Sequence, residues 1–119
     1  LSGGEQARTL IARALAQQTP FLMADEPTAG LDPASQITLM EIFAAEAASG
    51  NAVLCSLHDL GLAARHCTRL LVLHRGKLVA DGPPASVLVP ELLADVFQIT
   101  AHFTLTPDGP VFQPLGVIR

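Results

Sequence analysis

The 119-residue sequence predicts an α/β fold, a parallel sheet with flanking helices, ending in a C-terminal β-hairpin. Three observations predict it. Short apolar runs, "FLMA" (21–24) and "AVLCSL" (52–57), alternate with segments of helical period. Both runs are uninterrupted by polar residues until their ends, the pattern of strands buried on both faces of a parallel sheet. Further on, turn residues at Arg75–Gly76 and Pro107–Asp108–Gly109 separate pairs of strand-like runs.

The opening stretch, "LSGGEQARTLIARALAQQTP", reads as a helix start. Ser2 can cap it and Glu5, three residues later, completes a capping box. Leu10, Ile11, Ala14 and Leu15 form its apolar stripe, and Pro20 ends it. After the first strand, Asp32 followed by Pro33 is a cap and first-turn pair. The helix it opens runs to about Ser49, with Ile37, Met40, Phe43 and Ala47 on one face and Gly50 as its stop.

Beyond the second strand, Asp59 caps a helix over 59–66. "RLLVLHRGKLVADG" (69–82) reads as a hairpin, and "PPASVLVPELLADVF" as two short helical segments, each begun by proline. The tail from residue 99 suggests a weak second hairpin. Only two or three parallel strands are visible, and the first residue is Leu, so further strands are expected upstream in a longer protein.

Composition narrows the function classes. Net charge is −4, and the chain has no Trp and no Tyr. A nucleic-acid groove would call for clustered arginines and stacking aromatics, so no nucleic-acid partner is expected. No apolar run approaches the roughly 18 residues that cross a bilayer, which argues against direct membrane insertion. Cys55 and Cys67 lack CxxC spacing and read as reduced thiols. His66, His74 and His102 lack ligand spacing and receive no role.

In doubly wound sheets, functional groups gather just beyond the carboxyl ends of the strands. Asp25 and Glu26 hold that place after the first strand, and His58 after the second. If the strands are neighbours, all three project onto one rim. Adjacent carboxylates there are costly unless something positive meets them. Asp25 suits a Mg²⁺ ligand, direct or through water. Glu26 could polarise a water for attack on a phosphoryl group, with His58 bonding the terminal phosphate or placing that water. Ser2, Gly3 and Gly4 put small residues and backbone N–H groups at a helix N-terminus, a ready site for phosphate oxygens.

"LSGGEQ" (1–6), "FLMADEP" (21–27), "AGLD" (29–32) and "SLHD" (56–59) resemble, in order and spacing, the motifs of ATP-binding cassette (ABC) ATPases. They look like the signature motif, the Walker B strand with its catalytic Glu, the D-loop and the switch-histidine loop. The resemblance covers roughly residues 1–98 and implies a partial P-loop NTPase-type sheet, the C-terminal half of a nucleotide-binding domain, with 99–119 as a tail. It implies ATP and Mg²⁺ as cofactors, Asp25 in the Mg²⁺ shell, Glu26 as general base and His58 as γ-phosphate switch. Ser2, Gly3 and Gly4, with Glu5 and Gln6 of the same motif, would bind the nucleotide of the opposite subunit. Asp32 would cross the dimer interface.

The P-loop pattern G-x-x-x-x-G-K-[ST] is missing, because the single lysine, Lys77, lies in "HRGKL". The chain alone is therefore expected to be inactive. The stretch from "LHDLGLAARHCTRLLVLHRGKL" onward resembles importer cassettes for iron–siderophore, haem and vitamin B12, departing at Thr68, where many relatives carry an acid. The resemblance implies a second ATPase subunit and transmembrane permease subunits as partners, at the cytoplasmic face of the plasma membrane. The alternatives are a non-transport cassette of DNA repair or the ribosome, or a catalytically inactive remnant.

Overall fold

The computed structural model describes residues 21–119, in two compact units that divide between His58 and Asp59. The predicted opening helix and its phosphate-site residues, Ser2, Gly3, Gly4, Glu5 and Gln6, lie outside the described residues.

In the first unit, strand β1 (Phe21–Asp25) pairs in parallel with β2 (Ala52–Ser56), and helix α1 (Pro33–Ala48) connects them. The register sets Phe21 opposite Ala52 and Asp25 opposite Ser56. The two strands are thus neighbours and end at the same level. Asp32 caps α1 as its sequence predicts, its Oδ1 accepting from Ser35 N at 2.7 Å, with Pro33 in the first turn.

Two expectations for this unit are corrected. Met40 and Phe43 of the predicted α1 face are buried and Leu39 joins them, whereas Ile37 and Ala47 are exposed. The stripe thus keeps its centre and shifts at its edges toward Leu39, on a helix that packs on β2. Nor are the strands buried on both faces. Leu22, Ala24, Val53 and Cys55 are half-buried, while Phe21, Met23 and Leu54 are exposed on the other face, Met23 by 69%.

The second unit runs α2 (Leu60–His66), β3 (Leu70–His74), β4 (Lys77–Gly82), α3 (Pro84–Val87), α4 (Pro90–Leu92), a π-helical turn (Leu93–Phe97), β5 (Ile99–Thr106) and β6 (Gly109–Val117). Asp59 caps α2 by accepting from Leu62 N at 3.0 Å. The β3–β4 turn has φ of 51° at Arg75 and 76° at Gly76. Positive φ at both central residues marks the turn whose twist matches its strands, and glycine supplies one of them without strain. The two proline-started helical segments are present, and the second continues into the π turn that ends at left-handed Gln98.

The tail forms the longest strand pair of the described chain, antiparallel with a bulge between Thr100 and Ala101. Phe112 of β6 joins Ala64, Val72, Val87, Leu88 and Leu93 in the core of this unit, and meets Phe103 edge-on at 6.0 Å. Arg65 on α2 donates to the carbonyl of Pro110 at 3.1 Å and to that of Asp108, holding the β5–β6 turn.

Candidate functional site at the carboxyl end of the parallel strand pair

The rim is built by two strand ends and the residues just after them. β1 delivers Asp25 and β2 delivers Ser56 at paired positions. Ser56 Oγ donates to Asp25 Oδ1 at 2.5 Å and accepts from the backbone N–H of Glu26 at 2.8 Å. One hydroxyl thus ties both strand ends together.

Glu26 follows with φ of 44°, a left-handed position that costs a non-glycine residue roughly 1–3 kcal/mol. The chain then folds through tight turns, Ala29 N to Glu26 O and Leu31 N to Thr28 O, before reaching Asp32. Thr28 is the buried polar residue of this loop, and its carbonyl also accepts from Gln36 Nε2 at 3.4 Å. Loop and α1 are stitched together at that point.

His58 Nε2 lies 2.5 Å from Glu26 Oε1. In the tautomer that carries hydrogen on Nε2, the ring donates to this carboxylate oxygen. The His58 side chain is 86% exposed and that of Glu26 45%, so both stand open to solvent rather than in a core. A solvent-facing carboxylate with a histidine donor on one oxygen can take a proton from a water while its orientation stays fixed.

Of the residues singled out in the sequence, Asp25, Glu26 and His58 meet on this rim. Asp32 stands at the far end of the same loop, engaged as a helix cap. The Ser35 backbone N–H, with its hydroxyl adding, holds the Asp32 carboxyl below the usual carboxylate range. Ser56 opens the "SLHD" motif, but the sequence assigns it no role of its own. Its signal was there, since two runs of similar length that pair in parallel end opposite one another, but only the register shows it.

Among the described residues no group of three or more His, Cys, Asp or Glu is placed to hold a metal. A single hard carboxylate at a strand end nonetheless suits Mg²⁺, which keeps several waters and takes other oxygens from phosphates. No described helix is long and apolar enough to cross a membrane.

The chain is similar to the following known proteins. The family model described as ABC transporter matches residues 1–29. The hemin import ATP-binding protein HmuV of Nitrobacter winogradskyi is 46% identical over 96% of this chain and 46% of its own length. The protein of the same name from Nocardia farcinica is 51% identical over 93% of this chain and 38% of its own. The chain thus spans less than half the length of these curated relatives. A metal-chelate type ABC transporter in an inward-facing conformation superposes on the whole chain with a TM-score of 0.84 at 22% identity, over 48% of that structure's chain, a likeness of fold. A dimeric ATP-binding cassette in a post-hydrolysis state with ADP and Pi matches 71% of this chain and 36% of its own, at 33% identity and a TM-score of 0.63.

Proposed function

We propose that this chain, a segment of an ATP-binding cassette protein of the ABC transporter family, supplies the signature-to-switch half of an ATPase subunit that powers import. Residues 1–98 then make up the C-terminal half of the nucleotide-binding domain, and 99–119 follow as a tail. The observation that carries this reading is the rim itself: Asp25, Glu26 and His58 joined at the carboxyl ends of paired parallel strands.

In this reading Glu26 is the general base, taking the proton of the water that attacks the terminal phosphate. His58 holds the carboxylate through Nε2 and senses the γ-phosphate. Asp25 would hold Mg²⁺, directly or through water; bound there with ATP, the ion neutralises charge on phosphate oxygens. Ser2, Gly3 and Gly4, with Glu5 and Gln6, would close on the nucleotide of a second ATPase subunit, and Asp32 would reach across that interface. The P-loop would come from sequence upstream. The subunit would sit at the cytoplasmic face of the plasma membrane, docked on separate transmembrane permease subunits. Haem fits the cargo best among the chelates expected for this importer group, because the relatives above are named for hemin import.

The test is Glu26→Gln in the full-length subunit. General-base loss predicts turnover lowered by about 10²–10⁴-fold with ATP binding retained. Turnover at the unsubstituted rate would refute the assignment. The 119-residue chain alone should hydrolyse no ATP, and uptake by the assembled transporter should favour haem over ferric siderophores and cobalamin.

A further inference from the structure

We propose that Ser56 is a positioning residue for the hydrolytic rim, setting Asp25 and Glu26 together through one hydroxyl. The inference rests on the ATPase reading above and extends it to a residue outside the Walker B and histidine pair.

The hydroxyl makes two bonds of opposite sense. It donates to Asp25 Oδ1 at 2.5 Å, and accepts the backbone N–H of Glu26 at 2.8 Å. The first orients the Asp25 carboxylate, which would hold the cation. The second fixes the peptide that enters Glu26 at its unfavourable φ of 44°. That backbone setting aims the Glu26 side chain at His58, 2.5 Å away. Asp25 and Ser56 are directly paired in the parallel ladder, so the serine needs no loop rearrangement to reach its partners. Alanine would keep the strand and lose both bonds, leaving Asp25 free to rotate and the Glu26 turn without its anchor. Groups that orient a metal-binding carboxylate typically matter by about 10–100-fold in metal affinity or activity.

The experiment compares Ser56→Ala, Ser56→Cys and Ser56→Thr in the full-length subunit, measuring kcat, KM for ATP and, by equilibrium titration without turnover, the Mg²⁺ concentration for half-maximal ATP binding. Ser56→Ala and Ser56→Cys should lower kcat by about 10–100-fold and raise the Mg²⁺ requirement, with KM for ATP within about twofold. Ser56→Thr keeps the hydroxyl and should restore kcat to within about threefold. A serine that merely supports the strand would give a different pattern, with Thr no better than Ala. That result would overturn the proposal, as would Ser56→Cys retaining full kcat. Should the Ala variant fail to fold, the near-isosteric Cys variant decides. Glu26→Gln is run alongside. Loss of turnover there with none in Ser56→Cys refutes the serine role alone, whereas full turnover in Glu26→Gln refutes the general-base reading on which it stands.

Discussion

Glu26 occupies a left-handed backbone position, its N–H caught by Ser56 and its Oε1 by His58. Such a position persists only where neighbours over-determine it, and two bonds from residues 30 and 32 positions away do so here. His58→Ala removes the side-chain bond to the Glu26 carboxylate while leaving the Ser56 bond to its backbone, and on the proposed ATPase reading should lower turnover in the full-length subunit by about 10²-fold or more, read as kcat. Charge at single residues also predicts a pH response. The bidentate guanidinium of Arg69, at 2.7 and 2.8 Å, holds the Asp81 carboxyl below the ordinary carboxylate range, and Ser35 does the same for Asp32. Both carboxyls bind protons less readily folded than unfolded. Their stabilisation is full above the unfolded value of 3.8 and is lost as pH falls through the lower folded values. The thermal midpoint should drop as pH falls from about 4 toward 2, more steeply than in an Asp32→Ala, Asp81→Asn double variant.

At the scale of elements, local chemistry and periodicity had different success. The Asp32–Pro33 and Asp59 starts, the Arg75–Gly76 turn and both proline-started segments stand where their residues place them. These signals depend on contacts within four residues, so the sequence contains them entire. Gly76→Val forces a branched side chain into φ of 76°, and should cost about 1–2 kcal/mol in denaturant unfolding. The α1 face shows the limit of periodicity. Alanines contribute little to the apolar stripe, so a shift at its edges costs nothing in the pattern of a helix that packs on β2. The tail hairpin, with weak turn and strand signals, is held by something no local pattern records: the Arg65 grip on its turn and the Phe103–Phe112 contact.

For the whole molecule, the described chain has two units with separate packing, α1 on β2 in one and the Phe112 cluster in the other. Phe112 is only 8% exposed and links the C-terminal hairpin to residues of α2, β3, α3 and the π turn. Phe112→Ala should cost about 3–5 kcal/mol, with the loss appearing in denaturant unfolding of the subunit. The tail thus belongs to the packing of the second unit.

The identities of Asp25, Glu26 and His58, the caps that start α1 and α2, and the turn between β3 and β4 were all legible as residue order, because each depends on nearest neighbours and on what a strand end can present. The bond through Ser56, the edges of the α1 face and the anchoring of the tail were decided only in three dimensions. Each depends on which residue of a distant segment arrives opposite, and strand register and helix rotation are settled by the packing of whole surfaces rather than by any one stretch of chain.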